Sequence, residues 1–170
     1  MKRIWSVFLM LSLLVVLGGC AQSKQQAGSK SHASTESVTS SHTQTSPAGW
    51  QKIVITINGK KLTAHLNGSS AAKAFARELP TTLSFRDYPG LPEKIADLGH
   101  GLPTKGMPSG HAGTRGSIGY WSPQQRIVFY WGTEEYYDGI HIIGHFDTNA
   151  YRTVVRHMGN NRQVEIAEVK

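Results

Sequence analysis

Between Ile53 and Leu66 the chain reads Ile-Val-Ile-Thr-Ile-Asn-Gly-Lys-Lys-Leu-Thr-Ala-His-Leu, and no other stretch constrains the fold as tightly. Ile53, Ile55 and Ile57 alternate with Val54 and Thr56, and Leu62, Ala64 and Leu66 alternate with Thr63 and His65. A period of two puts each apolar set on one face of a half-buried strand. Asn58-Gly59 lies between the runs, and both residue types tolerate the positive φ that a two-residue hairpin turn needs. The chain therefore starts its domain with a β-hairpin that has one face to bury.

The same reading extends along the chain. Ser69 or Ser70 caps a short helix with Ala71, Ala74, Phe75 and Leu79 near helical spacing, and Pro80 ends it. A strand follows over Thr81 to Phe85, and the Gly- and Pro-rich stretch 99–116 reads as a long ordered loop. Three strands are expected over Ser117 to Trp121, Ile127 to Trp131 and Ile140 to Phe146. Asp147 or Thr148 then caps a second helix carrying Tyr151, Val154, Val155 and Met158, with Gly159 at its end. A last strand runs from Gln163 to Val169. Many short strands with two short helices point to a mainly β protein, a small closed barrel in which closure removes exposed strand edges.

This domain occupies residues 50–170. Ahead of it, Lys2 and Arg3 precede an apolar run from Ile4 through Leu17, broken only by Ser6 and Ser12. That is the layout of an export signal, and at about 14 residues the run falls short of the ~20 that span a bilayer. Leu17, Gly18, Gly19 and Cys20 follow, and the string resembles the lipobox of bacterial lipoproteins. The resemblance implies cleavage after Gly19 and a diacylglycerol, with palmitate-type acylation, on Cys20. It places the mature protein on the extracytoplasmic face of the cell membrane, held by lipid. Residues 1–19 are then the signal peptide and 20–49 a lipidated tether. Twelve of the 28 residues from 21 to 48 are Ser or Thr and Val38 is their one large aliphatic, so this segment has too little apolar surface to offset the entropy of ordering.

Cys20 is also the one cysteine, so no disulfide is available to the domain. Residues 50–170 carry fourteen Lys or Arg against ten Asp or Glu, a net of +4, with the basic residues scattered. Scattered charge without a stripe gives no footprint for nucleic acid.

In its order of elements the domain resembles the bacterial cyclophilin-like proteins. The resemblance is carried by the opening hairpin, Leu79-Pro80, Leu91-Pro92-Glu93-Lys94, and the run Gly116-Ser117-Ile118-Gly119-Tyr120-Trp121-Ser122-Pro123. Ile127-Val128-Phe129-Tyr130-Trp131-Gly132 and Ile142-Ile143-Gly144-His145 complete it. It implies an eight-stranded barrel flanked by helices. Ser117 stands where the family often has Asp. True cyclophilins carry a Phe-His-Arg strand followed by Phe-x-x-Gln; here Phe85-Arg86 is the nearest match and Phe-x-x-Gln does not follow.

Two functions remain open at this point: a module binding a peptide or small ligand with little or no catalysis, and an extracytoplasmic prolyl isomerase. A metal- or redox-accessory protein is a third, resting on histidines alone. The resemblance places a groove near Arg86, with Tyr120, Phe129 and His141 as candidate lining. No cofactor and no metal are expected. His141 and His145 have the spacing of a helical metal pair, but on a strand four residues span roughly 13 Å, too far for one ion. Glu134, Glu135 and Asp138 read as a solvated connection between strands.

Overall fold

The computed structural model describes residues 49–169. The signal segment with Leu17, Gly18, Gly19 and Cys20, and the Ser/Thr-rich stretch after it, lie outside the described residues.

The hairpin forms as expected. Strands β1 (Gln51–Ile57) and β2 (Lys60–Leu66) pair antiparallel, with Asn58 at φ 50° and Gly59 at φ 76°. Helix α1 (Ser70–Ala76) follows, and Ser69 Oγ accepts from the Ala72 N–H at 3.3 Å. The chain continues through β3 (Thr81–Asp87), β4 (Glu93–Asp97), β5 (Gly110–Ala112), β6 (Ser117–Trp121) and β7 (Arg126–Tyr130). It ends with β8 (Tyr136–Asp138), β9 (Ile140–Phe146), α2 (Tyr151–Arg156) and β10 (Arg162–Glu168). Eight strands close into an antiparallel barrel in the order β1-β10-β3-β4-β7-β6-β9-β2, while β5 and β8 form a separate two-stranded ribbon. The mainly β fold, the closed barrel and the two short helices agree with the sequence reading.

Three strands were not legible as such. β4 reads Glu-Lys-Ile-Ala-Asp, with charges at its first two buried positions, so no apolar alternation marks it. β5 falls in the stretch expected as loop, and β8 is exposed throughout. The cap of α2 also differs. Ala150 takes the cap position without a side-chain bond, because Asp147 accepts instead from His65 Nδ1 at 2.7 Å.

The barrel interior is filled by the alternating residues of the strands. Ile53, Ile55, Ile57, Leu62, Ala64 and Leu66 are at most 4% exposed, and Phe85, Ile127, Phe129, Val164 and Ile166 join them. Phe85 stacks on Phe129 at 4.2 Å between centroids, and Phe129 meets the edge of Phe146 at 5.2 Å. Fully burying an aromatic or aliphatic side chain of this size contributes roughly 1.5–3 kcal/mol.

Candidate functional site

Strand parity divides β4 and β7 between two cores. Ala96, Ile127 and Phe129 face the barrel interior. Ile95, Val128 and Tyr130, out of phase with them, join Ile140 of β9 in a second buried cluster on the barrel's outer face, with Trp121 and Ile142 against it. An outer strand face that is apolar needs a cover. The β5–β8 ribbon brings Tyr137 to this face, and Tyr88 and Leu91 of the β3–β4 connection join it there. Together with Ile95, Val128 and Tyr130 they line a groove of about 300 Å³.

Tyr130 is 1% exposed, and its ring occupies a slot made by two glycines. A Cβ on Gly113 would lie 2.3 Å from Tyr130 Cε1, and one on Gly119 would lie 2.8 Å from Cε2. These are contacts no side chain accepts, so the ring's position depends on both residues being glycine.

Two acids line the groove with the aromatics. Glu93 heads β4, directly opposite Tyr130 in the register, and is 8% exposed. Glu134 is also 8% exposed; its backbone N–H donates to Gly113 O at 2.7 Å, which turns the chain back over the groove. Neither carboxyl has a hydrogen-bonded side-chain or ion-pair partner among the described residues. Burial, reinforced by the Glu134 charge and opposed by Arg126, pushes the Glu93 carboxyl up to about 7. Burial and neighbouring Glu135 raise Glu134 as well. The Tyr130 hydroxyl is raised by burial first and then by both glutamates. At neutral pH the groove therefore holds a carboxyl poised between its two protonation states, a property that concentrates at functional sites.

Arg126 also borders the groove, but its Nε donates to Asp97 Oδ1 at 2.8 Å. Asp97 accepts from Arg86 too, with Nη1 2.8 Å from Oδ2, and the two arginines hold its carboxyl below the usual carboxylate range. Trp121 completes the wall, its indole N–H donating to the Gln124 side chain.

The four side chains expected to line a groove are distributed otherwise. Arg86 reaches this region only through Asp97. Tyr120 and Phe129 face inward: the Tyr120 hydroxyl accepts from the Leu102 N–H at 2.9 Å, and Phe129 lies in the core stack. His141 is 6% exposed, with Nε2 3.3 Å from Ser122 Oγ and Nδ1 unpartnered; burial lowers its pKa. The reason is parity. Phe129 and Tyr120 each sit one residue from the side chain that faces the groove, Tyr130 and Trp121 respectively. His141 and His145 do not share surroundings either. His141 packs 6.3 Å from Tyr120 toward the core, whereas His145 stacks on His65, 6.3 Å away. The irregularity between Ile118 and Gly119 inserts an extra residue in β9 between them. The connection holding Glu134 and Glu135 is solvated at Glu135 but not at Glu134.

This geometry is that of a closed barrel with a second buried cluster and a groove on its outer face. Residues 55–167 match the cyclophilin-like family. The chain belongs to that family. A hypothetical protein from Archaeoglobus fulgidus, known from its solution structure, is similar in fold at a TM-score of 0.50 and 13% identity. The likeness covers 71% of this chain and 96% of that one. At that identity the likeness speaks for the cyclophilin-like barrel alone. No curated protein matches the chain.

Proposed function

We propose that this protein is an extracytoplasmic lipoprotein whose cyclophilin-like module binds a peptide or small ligand in the outer groove. Support for the anchor comes from the sequence: Lys2-Arg3, the apolar run, and Leu17-Gly18-Gly19-Cys20 with a polar stretch behind it. Lipid held through Cys20 is the membrane partner in this reading, and no nucleic acid is involved. Among the described residues no helix is long and apolar enough to cross a membrane.

One observation carries the binding role. An apolar and aromatic groove of about 300 Å³ is lined by two glutamates, each residue 8% exposed, whose carboxyls have no side-chain hydrogen bond or ion pair among the described residues. A face serving only to pack the ribbon would be stabler with aliphatic residues there, since burial disfavours the charge of Glu93 and an aliphatic side chain carries no such cost. Concave apolar sites with a few convergent polar groups are the usual form of ligand sites. The test is ¹H–¹⁵N NMR of the full chain in detergent, titrated with short proline-containing peptides and aromatic fragments. The Trp121 indole signal and the Tyr130 amide should move, and the indole of Trp50, which stacks on the His65 ring at 4.1 Å and does not line the groove, should not. Shifts absent from the groove would remove the binding role.

The isomerase reading depends on an arginine free to meet a prolyl carbonyl. Arg86 is engaged by Asp97 instead. In a proline-peptide assay, where the uncatalysed barrier is ~18–20 kcal/mol and the reaction slow, turnover should be at background. Robust turnover that disappears in Arg86→Ala would establish the foldase in place of the binding module.

A further inference from the structure

We infer that the groove's ligand is an organic cation: an ammonium group on an apolar body, its charge held by Glu93 and Glu134 and its body against Tyr130, Trp121 and Tyr137. The inference rests on the reading of the groove as the binding site and goes on to name the chemistry of what enters.

Three features lead to a cation. Glu93 and Glu134 both line the cavity, each at 8% exposure, without a hydrogen-bonded or ion-paired side chain. Burial already disfavours the charge of Glu93, and the nearby Glu134 adds repulsion, so an entering cation offsets a cost to which an anion would add. The neighbouring arginine offsets the Glu93 charge only in part: it makes no ion pair with Glu93, and its Nε is bonded to Asp97, which Arg86 holds as well. The walls are aromatic as well. Tyr88, Trp121, Tyr130 and Tyr137 border the same cavity, and aromatic faces attract ammonium groups through their quadrupole.

The groove also excludes alternatives. A wholly apolar ligand would bury both carboxyls with nothing to satisfy them. An anionic ligand would meet two carboxyls, opposed only by the Nη groups of Arg126, whose Nε is bonded to Asp97. Ligands with an apolar body and a terminal amine meet every group as it stands. The amine could belong to a small molecule or to a lysine side chain of a peptide, and the two share this chemistry.

The test uses the full chain in detergent at pH 8, where Glu93 is ionised with Glu134, Arg126 and Tyr130 the titratable groups around it. Three probes of one shape are titrated by NMR: 4-phenylbutylamine, 4-phenylbutanol and 4-phenylbutyrate. The amine should bind at least about tenfold more tightly than the alcohol, as charge-assisted contacts to buried carboxylates require, and the butyrate most weakly. In Glu93→Gln and in Glu134→Gln the amine's advantage over the alcohol should fall by about fivefold or more. A lysine dipeptide with a neighbouring phenylalanine, binding more tightly than the amine, would assign the cation to a peptide; weaker binding would assign it to a small molecule.

Equal binding of all three probes at the groove would overturn the cation and leave the groove as a binding site. Butyrate binding most tightly would also overturn it and make Arg126 the anchor. No shift at Trp121 or Tyr130 with any probe would overturn both readings. The three-probe comparison on the unaltered chain needs no substitution, so the outcome stands even where a variant fails to fold.

Discussion

Replacing Glu93 by Gln should make the protein more resistant to unfolding at alkaline pH and leave it nearly unchanged in acid. The physical cause is burial. The carboxyl's value rises from an ordinary 4.5 to about 7 in the folded chain, first because its charged form is desolvated and second because Glu134 is near. A folded-state value above the unfolded one means that the folded protein binds the proton more tightly. The associated stability is complete below about pH 4.5 and is lost as pH rises through 7. At ~1.4 kcal/mol for each pH unit of separation, the full loss is about 3 kcal/mol. The groove is open on one side, and hydration there reduces the figure to roughly half to two-thirds of that ceiling.

Glutamine keeps the shape of the protonated acid and cannot ionise, so the variant escapes the alkaline loss. Urea unfolding of both proteins from pH 4 to pH 9 should give curves that coincide at the acid end. Their separation should grow between pH 5 and pH 8 to about 1.5–2 kcal/mol in favour of the variant. His141 works in the opposite sense: burial lowers its pKa, so it costs stability as pH falls, but it does so in both proteins and cancels in the difference. A separation that stays flat across this range, or that widens toward acid, would refute the argument that Glu93 is a desolvated carboxyl. Glu134→Gln supplies a second check. Removing that charge should move the midpoint of the wild-type dependence to lower pH.

Further outcomes follow from other contacts. Gly113→Ala and Gly119→Ala should each destabilise by about 1–3 kcal/mol through overpacking against the Tyr130 ring, and Tyr130→Leu should recover most of the loss in the double variant, as thermal unfolding will show. Lys94 has a side chain 2% exposed, held by Asp87 at 2.5 Å and by Gly159 O at 3.3 Å. Asp87→Asn should therefore cost about 1–3 kcal/mol in urea unfolding by leaving the ammonium half-satisfied, whereas Lys94→Met should be near neutral. Cys20→Ala should abolish palmitate incorporation and release the protein from membranes, and equal labelling of wild type and variant would refute lipidation there.

The elements that sequence alone made visible are those whose local chemistry and global role agree. Asn58-Gly59 needed positive φ and stands in a two-residue turn; Ser69 caps α1 through its own hydroxyl. β1 and β2 alternate because one face meets the core and the other does not. The strands around the groove lack that contrast. Ile127-Val-Phe-Tyr-Trp131 is apolar at every position, because β7 is covered inside by the barrel and outside by the groove and ribbon. An uninterrupted apolar run carries no phase, so Phe129 and Tyr130 could not be told apart as inward and outward residues.

For Glu93 the difficulty is the reverse, since two consecutive charges in Leu91-Pro92-Glu93-Lys94 point to an exposed turn on any hydrophobic pattern. Each of these charges is buried for its own reason. Lys94 finds Asp87 and the Gly159 carbonyl on one side of β4, while Glu93 enters the groove on the other. What places Glu93 at a site is the closure of the barrel, which pairs β4 with β7 and sets Glu93 opposite Tyr130, thirty-seven residues on in the chain. Glu134 arrives by a different route, through the single backbone bond from its N–H to Gly113, the glycine that also makes room for the Tyr130 ring. One tyrosine thus organises both acids: its ring demands Gly113, Gly113 returns Glu134, and its strand register presents Glu93. Loss of the ring from its slot should loosen Glu134 and Glu93 together, so the placement of both acids and the stability of the groove wall depend on the same side chain.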